Sequence, residues 1–331
     1  MEHLKDARHP AAVVLNNEYL RVVALPEVGF KIRSIYFKPK RFEALFQPKG
    51  ALCPEHVSDE EIETADWGRG YRRPFPGAHF SDYDTSGLDD AIPSIDPCRI
   101  PQCADELNDH GDAWSGAWTP IDFASRSTLS HGKKVLADQR AAARLDLPSM
   151  PLRLEREIAL VQNVVRLRYR LENLGAETLP WLWALHDLAR FDDGAVLELG
   201  DTAMNYENVQ NDEVWNFDIR LLRNYPRNHT FKFYGTQPVR EGDIGICYPK
   251  QGVRYRLRYD PEQLPYLGVW ITTGGFKGES NIALEPTNGY YDRLDRAIAN
   301  RRVGWIEAGQ RLEWQVDIVL EELEDTRGSA D

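Results

Sequence analysis

The sequence predicts an all-β protein: a large antiparallel β-sandwich with few short helices. Three observations support this. Short runs of alternating apolar and polar residues recur from about Val13 to Leu320, turn residues separate the runs, and helical periodicity is scarce. Many strands and few helices bury their apolar faces most simply as two packed sheets. The length, 331 residues, could hold two domains, but sandwiches of this kind commonly exceed the usual single-domain size. One domain over residues 1–331 is therefore expected.

The opening reads as a meander. Ala12 to Leu15, Tyr19 to Leu25 and Ile32 to Phe37 are β-type runs, separated by Asn16-Asn17 and by Pro26-Glu27-Val28-Gly29. Residues 53–111 lose this pattern to Pro, Gly, Asp and Arg with scattered aromatics, as expected of a loop-rich segment that contributes to a site. Inside it, Ser58 to Ala65 is the best helix candidate, with Ser58 as N-cap and Glu61 at the capping-box position. Ser130-His131-Gly132-Lys133 reads as a hairpin turn. Leu152 to Val161 and Val164 to Leu171 alternate, the second with Arg166, Arg168 and Arg170 on one face. Such arginines are normally solvated or paired with acids and receive no catalytic role. Leu179 to His186, Val196 to Leu199, Thr230 to Tyr234, Val253 to Tyr259, Leu267 to Thr273, Asn281 to Glu285 and Leu312 to Leu320 complete the strands. Residues 321–331 form a charged tail expected to fray.

Composition narrows the partners. The chain is 42% hydrophobic and 28% charged, which marks a globular protein. Its net charge of -12 repels nucleic acid and anionic membrane, so neither is an expected partner. No stretch approaches the ~20 apolar residues of a membrane span. Met1-Glu2-His3-Leu4-Lys5-Asp6 carries no signal-peptide run, and a cytoplasmic location follows as the expectation. Cys53, Cys98, Cys103 and Cys247 lack zinc-finger spacing and read as free thiols. Nine Trp and 14 Tyr suit a small-molecule carbohydrate partner, since aromatic faces stack on sugar rings, although strand and core packing is the plainer use. A monomer or homodimer is expected.

Three polar groups could carry chemistry: His110 in Asp109-His110-Gly111-Asp112, His186 ending Trp181-Leu182-Trp183-Ala184-Leu185-His186, and Glu285 in Ala283-Leu284-Glu285-Pro286. Imidazole plus carboxylate is the least equipment that moves protons at neutral pH without a cofactor. Alternation puts Glu285 on a face with Asn281 and Ala283, and Pro286 should end the strand there. A surface glutamate is the plainer alternative. His186 shares a face with Leu182 and Ala184, and its plainer reading is a hydrogen-bonded packing residue. Asp109 or Asp112 could fix the tautomer of His110. A metal held by His110, His186 and Glu285 would lack the ligand spacing of a zinc helix, so none is expected. Arg69, Arg72 and Arg73 could clamp an anionic or polyhydroxylated substrate or simply be solvated. Asp89 and Asp90 could accept sugar hydroxyls.

In their common order, His110-Gly111, His186 and Leu284-Glu285-Pro286 resemble the aldose 1-epimerase (galactose mutarotase-like) superfamily. Trp270 in Gly268-Val269-Trp270-Ile271 is similar to that family's strand before the glutamate, and Glu307-Ala308-Gly309-Gln310 to its usual ending. The Gly87 to Ser94 segment resembles a divergent bacterial branch. The second histidine departs from the family pattern, with Leu185 before it and Asp187-Leu188-Ala189 after it. Arg73 stands nearest to the family's substrate arginine. The resemblance implies a supersandwich that interconverts sugar anomers without metal, nucleotide or redox cofactor. In it Glu285 is the general base, ionised at neutral pH, His186 the general acid at the ring oxygen, and His110 a hydrogen-bonding partner. Trp270, Arg72, Arg73, Asp89 and Asp90 would contact substrate. Alternatives on the same fold are an epimerase of a phosphorylated or anionic sugar and a non-catalytic sugar sensor; a carbohydrate lyase or hydrolase would need a second catalytic carboxylate.

Overall fold

The computed structural model describes residues 9–122, 127–130, 133–136, 139–200, 204–210 and 214–324. Among them the strands form a 12-stranded sheet, an 8-stranded sheet and a two-stranded pair. Every pairing is antiparallel except that of Val13–Asn16 with Lys133–Leu136. Leu294–Ala299 is the sole α-helix of the described residues.

Most of the expected strands form with small shifts at their ends. Val253–Tyr259 and Leu152–Val161 match their bounds, and the first three runs become Val13–Asn16, Leu20–Leu25 and Lys31–Phe37. His131 and Gly132, the centre of the expected hairpin turn, lie outside the described residues, as do residues 325–331 of the 321–331 tail, whose first two residues instead finish the strand Arg311–Glu322.

Four expectations need correction. Leu179 to His186 is not one strand: Leu179–Trp181 pairs with Gly304–Ile306, and Ala184–Arg190 joins the large sheet. The irregular 53–111 segment contains a central strand, Gly87–Ala91, between Ala184–Arg190 and Lys31–Phe37. Ser58 to Ala65 forms turns rather than a helix. Glu61 does accept hydrogen bonds from the Ser58 amide and hydroxyl, at 3.0 and 2.9 Å. The Glu61 half of the capping box forms, but it does not supply the cooperative run of bonds that makes a helix. Finally, Pro286 does not end its strand, which runs from Ser280 to Thr287. Pairing with Ala184–Arg190 lapses between Ala184↔Thr287 and Leu188↔Ala283, so an imino residue there removes no further ladder bond from that side.

The sheets differ in burial. In the 8-stranded sheet, Leu152–Val161 and Val253–Tyr259 alternate buried with part-exposed residues, the pattern of one wet face. In the 12-stranded sheet, Leu20–Leu25, Lys31–Phe37 and Gly87–Ala91 are buried throughout. One face packs on the other sheet: Ile32, Leu88, Leu185, Val269, Ile282 and Leu284 join Leu154, Ile158, Leu167 and Ile318 in one core. Residues from the loop-rich segment cover part of the opposite face.

Candidate active site

Register builds the site. On the covered face of the large sheet, Tyr234 lies across from Gly268, and Gly268 across from Glu285. The register fixed by Ala184↔Thr287 and Leu188↔Ala283 sets His186 beside Glu285, and His186 pairs directly with Asp89. The next row along the strands runs Lys232, Trp270, Ala283, Leu188 and Gly87. Residues from five strands, spread along the sequence from Gly87 to Glu285, thus share one surface patch.

A cavity of about 250 Å³ opens on this patch, lined among others by Phe80, Asp96, Asp109, His110, His186, Lys232, Trp270, Asn281 and Asp292. The covering segment brings His110 in. Its ring stacks on Phe80 at 3.9 Å between centroids and meets His186 edge-on at 4.8 Å. His110 Nδ1 lies 2.7 Å from Asp109 Oδ1, which holds that nitrogen as the N–H and leaves Nε2 for the cavity. Gly111 follows because no side chain fits: a Cβ there would stand 1.9 Å from the Ile92 carbonyl oxygen. Trp270 donates through Nε1 to Asn281 Oδ1 at 3.1 Å, fixing the indole at the wall.

Glu285 is fully buried and stands one layer behind the wall, where the Lys232 ammonium donates to Oε2. Lys232 Nζ is also 3.4 Å from Asp292 Oδ1, and Asp292 accepts from Tyr234 at 2.6 Å. Gly268 makes room for the pair: a Cβ would lie 3.3 Å from Glu285 Oε2 and 3.4 Å from Lys232 Cε.

The cluster holds more acids than cations, and the proton affinities follow. Burial raises Glu285, against the opposing charge of Lys232. Burial and then the Asp292 charge raise Asp96. Burial pulls Lys232 down, but Asp292 and Glu285 outweigh it and push the ammonium up to about 12. For His186, burial and then the charges of His110, Lys232 and Lys31 depress the imidazole well below its ordinary value, so it is neutral at pH 7. For Asp109, burial opposes ionisation, yet the His110 contact holds the carboxyl below the usual range.

The substrate-binding expectations divide. Trp270 lines the cavity, and Arg72, Arg73, Asp89 and Asp90 do not. Arg73 pairs with Glu27, and Arg72 donates to the Asp82 carbonyl and lies over the Tyr83 ring at 4.7 Å. Asp89 is on the cavity side of its strand, but Lys31 takes its Oδ2. Asp90 alternates to the core side and binds Arg156 at 2.7 Å and Trp183 Nε1 at 3.1 Å. Lys232, Asp96 and Asp292 were missed. Lys232 left a signal, a lone cation alternating with aromatics in Phe231-Lys232-Phe233-Tyr234, whereas Asp96 and Asp292 lie in loops without periodicity. Among the described residues, no three His, Cys, Asp or Glu side chains gather in a way that could hold a metal ion.

No family model matches the sequence, and no curated protein does. Solved structures do. The Slr1438 protein of Synechocystis sp. PCC 6803 superposes with a TM-score of 0.68 at 16% identity, covering 95% of this chain and 96% of that one. A galactose mutarotase related enzyme from Lactobacillus acidophilus gives 0.61 at 12% identity, covering 95% and 98%. A galactose mutarotase-like protein from Clostridium acetobutylicum gives 0.56 at 12%, covering 94% and 95%. The fold is galactose mutarotase-like. None of the described helices is long and apolar enough to cross a membrane.

Proposed function

We propose that the protein is a sugar mutarotase acting on a free, uncharged monosaccharide. The observation that carries the reading is the grouping of two imidazoles and several carboxylates around one cavity of about 250 Å³, next to an anchored indole. Ring opening needs a base at the anomeric hydroxyl and an acid at the ring oxygen. Glu285 takes the O1 proton, the O1–H electron pair becomes the second bond of the C1 carbonyl, and the C1–O5 bond breaks. His110, in its protonated form, gives a proton from Nε2 to O5 while Asp109 holds Nδ1. Rotation about C1–C2 and reversal of these steps return both protons and the other anomer. His186 and His110 thereby exchange the roles that the resemblance implies, because a neutral, buried imidazole accepts a hydrogen bond more readily than it surrenders a proton.

The charge around the cavity disfavours an anionic sugar. Asp96, Asp109, Asp292 and the underlying Glu285 face a single lysine, and Arg72 and Arg73 are occupied elsewhere. The burial of Glu285 behind Lys232 favours one second reading, a sugar sensor of the same specificity. Anomer exchange measured by NMR across a panel of free sugars and sugar phosphates separates them. Saturable acceleration for a free sugar, lost in Glu285→Gln, is expected. Saturable binding with no acceleration would leave the sensor, and preference for a sugar phosphate would overturn the specificity.

A further inference from the structure

Lys232 takes no part in the steps above, yet it is the most constrained cation at the cavity. It sits on Thr230–Gly235, 4% exposed, with its ammonium bonded to Glu285 Oε2 and 3.4 Å from Asp292 Oδ1. The second oxygen of Glu285, Oε1, is buried with no hydrogen-bond partner. An isolated carboxylate with no exposure takes up a proton, since burial penalises the charged form. A protonated Glu285 could not accept one from substrate.

We propose that Lys232 is a positioning residue: it holds Glu285 ionised beside the cavity, locks Oε2, and leaves Oε1 as the atom that accepts the substrate proton. This rests on reading Glu285 as the base. The groups around the pair set the balance. His186 and Asp187 lie on Ala184–Arg190, His110 and Asp96 come from the covering segment, Asp292 from the chain beyond Thr287, and Tyr234 from the strand of Lys232 itself. Of these, Asp292 makes a negative Glu285 harder to keep, and the His110 charge helps only secondarily to Lys232. Removing the ammonium therefore leaves burial and Asp292 nearly unopposed. A lysine whose role is only to pack would leave the protonation of Glu285 alone.

The test follows the Glu285 carboxyl directly, by carbon-13 NMR of selectively labelled protein assigned with Glu285→Gln, alongside the pH profile of anomer exchange. In the wild type the carboxyl is expected to be ionised at pH 7. In Lys232→Met its titration and the acid limb of kcat/KM are expected to rise together by about one to three pH units, as for loss of an adjacent opposite charge. On the acid side of both limbs, kcat/KM of Lys232→Met is then lower by about tenfold for each pH unit of that rise, and it recovers at higher pH. Lys232→Arg, which keeps the charge, should keep the limb. A wild-type Glu285 protonated at pH 7 overturns the proposal even if Lys232→Met does not fold. So does a folded Lys232→Met with unchanged titration. If the wild type accelerates no sugar's exchange, the reading of the site fails, while the titration still decides whether Lys232 holds Glu285 ionised.

Discussion

The outer face of the 8-stranded sheet and the interior of the molecule use the same chemical pair, a cation against a carboxylate, to opposite ends. On the outer face Arg166 pairs with Asp317 at 2.8 Å, Arg168 with Glu157 at 2.9 Å and Arg170 with Glu155 at 3.2 Å. Half of the Arg168 side chain remains in water, at 54% exposure. Inside, Arg156–Asp90 has no exposure at either partner, and Lys31–Asp89 and Lys232–Glu285 are scarcely different. In water an ion pair gains little, because solvent serves each charge nearly as well. In the interior each charge depends on its partner, and deleting one leaves the other uncompensated. The wet ladder keeps a sheet soluble; the buried pairs fix atoms in place.

Four changes probe that contrast. The largest effect is expected at the cavity, where Glu285→Gln should reduce anomer exchange about 10²- to 10⁴-fold with the fold kept, checked by NMR exchange rates and circular dichroism. Arg156→Met strands Asp90 and removes the guanidinium lying 4.6 Å over the Phe30 ring. It should cost about 3–5 kcal/mol in chemical denaturation, and a loss within 1 kcal/mol of the Arg168→Ala value would erase the contrast.

The third change concerns pH. Burial pushes Asp187 up to about 7, with Tyr255 as its one hydrogen-bond partner. The folded state therefore holds this proton more tightly than the unfolded chain. Its contribution to stability is complete below the ordinary carboxyl range and is lost as pH rises through about 7. Asp187→Asn should flatten the stability difference between pH 5 and pH 8 seen in wild-type melting curves. An unchanged slope would place the titrating group elsewhere. Smallest of all, Arg168→Ala should cost under about 1 kcal/mol, and the difference should shrink further in high salt.

Much of the architecture was legible because strand alternation is a local property. Leu152–Val161 and Val253–Tyr259 announce themselves, and so does the arginine face of Val164–Asn173. Gly87–Ala91 did not, since Leu88-Asp89-Asp90 carries two adjacent acids and no alternation. Both acids are buried by distant partners, Lys31 and Arg156. The Ser58–Glu61 pair was legible and misleading, because its bonds form without a helix to follow.

The sequence by itself determined the sandwich class, many of the strands and the faces on which Glu285 and His186 lie, because a two-residue period assigns faces without knowledge of neighbours. Tertiary structure alone decided that His110 meets His186, that Asp90 faces the core, and that Lys232 covers Glu285. Those outcomes depend on the register of strands far apart in the chain and on which segment lies over them. Both are properties of the assembled sheet, and no local pattern of residues encodes them.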